Sequence, residues 1–303
     1  MAVKNMAASV LARLKQQAKQ QNIPFQLALQ LFAQEEFLRK LSMSDYAGNF
    51  ILKGGMFIYT LTDFEARPTR DVDFLLRNLN GETAYIHSVL KSICDIQTEN
   101  DFITIELLHS KTITVDKQYP GTKSSFMAHI DNVRIPFSID IGIDDVIVPK
   151  PISRSIPPRL PNFSAPTLLT YTLESTIAEK LDAIFQRMSA TSRMKDFYDI
   201  YYLSGLLDFD GALLCAAVSA TLTHRNHEAD PDAFVQINKF RNNPFLITQW
   251  QAFEPARRTG LDFSIVIDHL ITFLEPVYTA YLKKEPFTKH WSHEISTWKN
   301  AAH

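Results

Sequence analysis

The chain is poor in sulfur, with two cysteines, Cys94 and Cys215, among 303 residues. They lie far apart and form neither a CxxC pair nor a disulfide framework. A dominant charge is also missing. Thirty-one Lys and Arg stand against thirty-three Asp and Glu, a formal net charge of −2. No global field therefore advertises a nucleic-acid or membrane partner, although a balanced total leaves room for a local basic surface. The best apolar run, Gly211 to Leu222, has twelve residues, short of the roughly 18–20 a helix needs to cross a bilayer. The opening stretch, MAVKNMAASVLARLKQQAKQ, carries lysines where a signal peptide needs an unbroken apolar core. There is no internal repeat and no low-complexity tract. Hydrophobic residues at 46% and charged residues at 21% sit near the globular average and exclude a disordered or fibrous chain. The expectation is a soluble, cytoplasmic globular protein with no membrane partner, built as one large domain or two modest ones.

Val10, Leu11, Leu14 and Ala18, then Leu27, Leu31, Leu38 and Leu41, recur at helical spacing, with Pro24 between the two segments. A short strand, Asn49 to Leu52, leads into Lys53-Gly54-Gly55, and 63–70 reads as a loop. The run DVDFLL from Asp71 opens with strand-like alternation. A helix is expected from Gly81 to Cys94, and strands at 102–108, 111–116, 125–130 and 133–141 suggest an antiparallel meander. Six of the fifteen prolines fall between Pro149 and Pro166, which predicts an extended connector over 151–168. From Leu173 onward the pattern is helical. The expected division is 1–150, a mixed α/β part with the N-terminal helices, then the connector, then a helical domain over 169–303.

The chemistry concentrates in Leu52-Lys53-Gly54-Gly55 and, sixteen residues after Gly55, Asp71-Val72-Asp73. Residues two apart on a strand share a face, so Asp71 and Asp73 present two carboxylates together while Val72 and Phe74 face the core. Neighbouring carboxylates repel unless a cation lies between them, and magnesium, a hard ion that accepts oxygen ligands and substrate phosphates, is the natural one. Glycines without side chains let backbone amides approach a triphosphate. A two-metal phosphoryl displacement needs a third carboxylate. Asp140 is the candidate, because Ile135, Phe137, Ile139 and Ile141 form the apolar face of its strand and leave Ser138 and Asp140 on the other. It joins the pair if that strand lies beside the first. Against this stands the plainer possibility of a solvated DxD and an ordinary glycine turn.

A second cluster lies in the helical half. Leu173, Ile177, Leu181, Ile184, Phe185 and Met188 form an apolar stripe, flanked by a ridge of Thr176, Lys180, Ala183 and Arg187. Lys180 could neutralise phosphate charge from that edge, or simply lay its stem along the apolar face. Asp196 shares a ridge with Ile200, Leu203 and Leu207, so it needs a partner, with Lys180, Arg193 or a substrate group as options. Asp199 lies close enough on the wheel to assist, whereas Glu179 is expected to be solvated. His224 and His227 read as a loop rather than a metal pair, and Cys94 as a buried thiol. Arg257, Arg258, Lys283 and Lys284, with Arg225, Lys239 and Arg241, could line a phosphate-binding face or be scattered surface charge.

Lys53-Gly54-Gly55 followed by Arg67-Pro68-Thr69-Arg70-Asp71-Val72-Asp73 resembles the polymerase-β-type nucleotidyltransferases. More narrowly, it is similar to the abortive-infection toxin family AbiEii/AbiGii, whose signature runs LKGG and then RxTxDxD. Ala178-Glu179-Lys180-Leu181 resembles that family's AEKL segment, and Arg193-Met194-Lys195-Asp196-Phe197-Tyr198-Asp199 its RxKDxxD segment. The resemblance covers nearly the whole chain, with no sharp motif in the last hundred residues. One departure is Met56, where a small or hydroxyl residue is more usual after the glycines. The resemblance implies an α+β fold, a polymerase-β-like nucleotidyltransferase core of mixed sheet and flanking helices followed by an all-helical domain that closes over the nucleotide. It implies transfer of a nucleoside monophosphate from a nucleoside triphosphate to an acceptor hydroxyl, with Mg2+ or Mn2+ on Asp71 and Asp73, and with Asp140 as a further metal ligand or as the group that activates the attacking hydroxyl. Lys53, Gly54, Gly55, Arg67 and Thr69 would hold the triphosphate, joined in nucleotide binding by Arg193, Lys195 and Asp199. Lys180 would stabilise charge and Asp196 would orient Lys180 or the acceptor. The implied setting is a toxin–antitoxin or phage-defence pair, with an antitoxin protein as partner and the tRNA 3′ end or another RNA as acceptor. A transferase acting on protein hydroxyls and a catalytically idle binding module remain as alternatives.

Overall fold

The computed structural model describes residues 5–115 and 119–300. The chain divides into two compact units, the first comprising Met1–Asp145 and Ile152–Tyr171, the second Val146–Pro151 and Thr172–His303. In the first unit the elements run α1 (Met6–Gln20), α2 (Phe25–Ser42), β1 (Phe50–Lys53), α3 (Gly54–Leu61), β2 (Val72–Leu76), α4 (Thr83–Cys94), β3 (Ile103–Val115), β4 (Tyr119–Ile130), β5 (Val133–Ile143), β6 (Ile152–Ser155) and β7 (Thr167–Thr170). Seven strands form one sheet in the order β3-β4-β5-β2-β1-β7-β6. The expected meander is β3, β4 and β5, paired antiparallel. The two strand runs foreseen on either side of residue 109 are one strand, β3, with a register shift between Leu107 and His109. Residue 116, where the second run was to end, lies outside the described residues.

Alternation along β5 places Ile135, Phe137, Ile139 and Ile141 in the core, as the sequence pattern requires. Phe137 stacks on Phe126 of β4 with ring centroids 4.9 Å apart, and Phe37 of α2 packs against Phe126 at 5.3 Å. Helix α2 is buried almost all round, and so are its polar residues Gln34, Glu35, Glu36, Arg39 and Lys40. Buried charge has to be partnered. Arg39 pairs with Glu35 and, at 2.9 Å, with Glu36, while Glu36 also accepts a 2.6 Å bond from Asn100. Burial outweighs these bonds and raises the Glu36 pKa.

Two stretches at the ends of the connector expected over 151–168 join the sheet, and 156–166 between them forms no strand. Thr167–Thr170 lies parallel to β1, and Ile152–Ser155 pairs antiparallel with it at the edge. Proline is tolerated around edge strands, where unpaired N–H groups face outward, so proline density did not stop this segment from pairing. The first compact unit takes in Ile152–Tyr171 as well as the residues up to Asp145.

The second unit contains α5 (Leu173–Arg187), α6 (Met194–Leu206), β8 (Phe209–Asp210), α7 (Gly211–His224), α8 (Ala233–Asn238), α9 (Pro244–Ala252), α10 (Glu254–Thr259), α11 (Phe263–Lys283), β9 (Lys289–Ser292) and β10 (Thr297–Asn300). Helices dominate, with one addition to the expected pattern, a three-stranded sheet in the order β10-β9-β8. Trp291 anchors it, fully buried, with its indole N–H donating to the Ser204 carbonyl at 2.6 Å. Helix α11 is long and apolar enough to cross a membrane by length and composition, a span the sequence reading missed because Asp268, His269, Glu275 and Pro276 interrupt the run. Val266, Ile267, Leu270, Phe273, Leu274 and Val277 are buried within the unit, against helices that include α6, α7 and α8. That burial is what a core helix requires.

Candidate active site

Strand β5 lies beside β2, in parallel, with Asp73 directly opposite Asp140. The condition attached to Asp140 is therefore met. Directly opposed residues of a sheet share a face, so these two carboxylates stand side by side, while Val72 and Phe74 are buried opposite Ile139 and Ile141. Strand β2 starts one residue later than expected, at Val72, leaving Asp71 exposed at its mouth. The approach to Asp71 is fixed from α2, where the side-chain amides of Gln30 and Gln34 both donate to the Arg70 carbonyl at 2.7 Å.

The glycine pair opens α3. Gly54 has φ +68, a left-handed conformation, and a β-carbon there would lie 2.9 Å from Asp73 Cγ. Gly55 is pressed against Thr69, whose Oγ1 would lie 2.9 Å from an added β-carbon. The same hydroxyl accepts from the Asp71 backbone N–H at 3.3 Å. Thr69 is thus buried and shapes the DxD approach, with Arg67 half-buried just before it. Met56 packs into the core, so the departure at this position is an interior one. Lys53 stands opposite Asp73 in the β1–β2 register. Its ammonium lies 3.2 Å from the Tyr171 hydroxyl, 3.4 Å from Asp145 Oδ2 and 4.8 Å from the Tyr171 ring centroid.

Sequence reasoning missed Lys123. It sits on β4 opposite Asp140, and its ammonium donates to both carboxylate oxygens, at 2.9 and 3.1 Å. Partial burial works against its charge, but the hydrogen bond and charge of Asp140, with Asp71 and Asp73 behind it, raise its pKa. The available signal was weak, because Gly121-Thr122-Lys123-Ser124-Ser125 has no apolar alternation and the strand was expected only from residue 125.

Asp71 and Asp73 offer hard oxygen donors suited to Mg2+ or Mn2+ completed by substrate phosphates. Asp140 is already engaged by an ammonium. Among the described residues no group of three His, Cys, Asp or Glu side chains is assembled to hold a metal. The donor set fits an open carboxylate site better than a closed cage.

In the second unit Lys180 is buried, its ammonium 3.2 Å from Asp196 Oδ1 and 2.6 Å from Asp199 Oδ2. Arg193 Nε donates to the other Asp196 oxygen at 2.7 Å. Asp196 thus takes both protein partners considered for it, and Lys180 is an ion-paired residue rather than one laid along an apolar face. Lys195 is exposed on α6. Glu179, expected to be solvated, is largely covered and lies 3.3 Å from Arg225. Arg225 also reaches the fully buried Asp182 at 2.8 Å, and Arg241 meets Asp268 at 2.5 Å. These two arginines are committed to carboxylates, while Arg257 and Arg258 are exposed. His227 stacks on Phe185, centroids 5.2 Å apart, in a packing role. Cys94 is buried as expected, and desolvation pushes its thiol up to about 12.

The family model for the nucleotidyl transferase AbiEii toxin, type IV toxin–antitoxin system, matches residues 36–264. No curated protein matches the chain. Two solved Helicobacter pylori structures are similar to it. JHP933 shares 13% identity over 86% of this chain and 94% of its own, with a TM-score of 0.47. A protein provisionally described as a nucleotidyltransferase shares 14% identity over 88% of this chain and 100% of its own, with a TM-score of 0.48. Because the family match takes in most of both compact units, the chain belongs to the AbiEii nucleotidyltransferase toxins of type IV toxin–antitoxin systems.

Proposed function

We propose that this nucleotidyltransferase moves a nucleoside monophosphate from a nucleoside triphosphate to an acceptor hydroxyl, with the tRNA 3′ end as the favoured acceptor. The acceptor oxygen attacks the α-phosphorus, the bond from that phosphorus to the bridging oxygen breaks, pyrophosphate leaves, and the hydroxyl proton passes to water. The observation that carries the reading is the side-by-side placement of Asp73 and Asp140, next to a glycine-built helix start. Asp71 and Asp73 would hold a divalent ion, Mg2+ or Mn2+, which when bound supplies Lewis-acid stabilisation of phosphate charge. Backbone amides at Gly54 and Gly55 face the triphosphate, Lys53 answers its charge, and Thr69 keeps the loop from Arg67 to Asp71 in shape. The family resemblance adds a role in charge stabilisation for Lys180, which within its own unit is held by Asp196 and Asp199, with Arg193 bracing Asp196. An RNA acceptor rests on the family resemblance, an antitoxin partner follows from the type IV family, and a cytoplasmic location rests on the composition of the chain.

Purified protein incubated with Mg2+, each α-labelled nucleoside triphosphate and total cellular RNA plus protein tests this. The expected product is a tRNA-sized labelled band, sensitive to RNase and reduced about a hundredfold or more in Asp71→Ala and Asp73→Ala, since metal-borne charge stabilisation contributes several kcal/mol. Label that follows protease instead would make protein the acceptor. Activity retained in both variants would overturn the metal assignment, and no label with any nucleotide would favour an idle module.

A further inference from the structure

Five charged side chains stand in one line across the sheet. The register sets Lys111 opposite Lys123, Lys123 opposite Asp140, Asp140 opposite Asp73 and Asp73 opposite Lys53. Opposed residues share a face, so the row reads Lys, Lys, Asp, Asp, Lys, with the two carboxylates at its centre. A pair of adjacent carboxylates needs positive charge beside it. On the Asp140 side the chain provides that charge itself, because Lys123 grips both Asp140 oxygens and is anchored on the neighbouring strand. A tethered ammonium has an effective concentration in the millimolar range or above, whereas free Mg2+ must first shed tightly held water.

We propose that Lys123 is a resident cation of the reactive centre, which withdraws Asp140 from metal binding and takes the place of a second divalent ion. Lys123 is on this view a positioning residue. It fixes the Asp140 carboxylate beside Asp73 and keeps positive charge on that side of the centre whether or not metal is bound. The inference rests on the reading of Asp71 and Asp73 as metal ligands, and it departs from a two-metal arrangement built on all three aspartates.

Mn2+ titration of the full chain, followed by the loss of the free-ion electron paramagnetic resonance signal, separates the possibilities. The wild type is expected to bind a single ion, lost in Asp71→Ala and Asp73→Ala. Asp140→Asn, which keeps the shape of the side chain, should leave Mn2+ affinity within about twofold, whereas a lost metal ligand or outer-shell partner costs roughly 10–100-fold. Lys123→Met should gain a second ion or bind about tenfold more tightly. That gain should vanish in Lys123→Met combined with Asp140→Asn and should not arise in Lys123→Arg. A large affinity loss in Asp140→Asn would overturn the proposal, and so would a folded Lys123→Met with unchanged stoichiometry and affinity. If Lys123→Met does not fold, the Asp140→Asn titration alone decides. Mn2+ binding that ignores Asp71 and Asp73 would instead sink the metal reading beneath the proposal, and a wild type that binds none would overturn both.

Discussion

The Asp73 carboxylate occupies the space that a side chain on Gly54 would need, with Cγ 2.9 Å from the position of the missing β-carbon. Two constraints coincide at that glycine. Its φ of +68 costs an L-residue roughly 1–2 kcal/mol, and any side chain there displaces the carboxylate. Gly54→Ala should therefore lower stability by about that amount and reduce nucleotidyl transfer far more than the stability loss explains. Gly205 is the matched control, exposed at the end of α6 with nothing within 4 Å. Gly205→Ala should stabilise by about 0.5–1 kcal/mol and leave transfer unchanged. Thermal melts beside a transfer assay read both, and equal behaviour of the two variants would refute the steric account.

Lys180 bridges two almost fully buried carboxylates, Asp196 and Asp199. Removing one member of a buried ion pair costs about 3–5 kcal/mol, because the surviving charge stays desolvated. Lys180→Met should shift the urea midpoint strongly, and Lys180→Met with Asp199→Asn should recover part of that shift. A Lys180→Met protein as stable as wild type would show that the ammonium is dispensable to the packing of α5 against α6.

His269 provides a pH signature. Its Nε2 lies 2.7 Å from the Ser204 hydroxyl, its ring packs edge-on against Tyr201 and Trp291, and burial lowers its pKa below the ordinary 6.5. Between the lowered folded value and about 6.5 the unfolded chain binds the proton and the folded chain does not, so stability rises with pH across that window. The contribution is complete above 6.5 and is lost as pH falls through the folded value. His269→Phe should flatten this limb, seen as a smaller change in melting temperature from pH 7.5 to 5. Parallel profiles for wild type and variant would argue against a neutral buried imidazole.

The carboxylates were legible because a half-buried strand states its faces through alternation. Ile135, Phe137, Ile139 and Ile141 exposed Asp140 as the odd-face residue, and DVDFLL did the same for Asp73. Pairing was not legible, since register is a property of two strands and neither carries it alone. That is why Lys123, in a run of small polar residues, escaped notice although it touches Asp140. The partners of Asp196 could be narrowed to a short set because a buried charge demands one, whereas Glu179 was misjudged because its partner, Arg225, comes from a different helix end. Strands β6 and β7 were hidden by proline density, which reports what a segment cannot form more clearly than what it can join.

The passage of the chain between its units has a consequence for biosynthesis. The backbone leaves the first unit after Asp145, returns at Ile152 and leaves again after Tyr171, so no single proteolytic cut frees one unit from the other. Strand β7, which covers one side of β1, emerges from the ribosome only after β2 through β6 have been made. At ~5–20 residues per second, the nascent sheet waits on the order of seconds after β5 with that side of β1 unpaired. An open strand edge invites pairing with other chains, so the nascent sheet carries that liability until β7 is made. The seven-stranded sheet that carries Asp73 and Asp140 therefore cannot be complete until translation has passed residue 170.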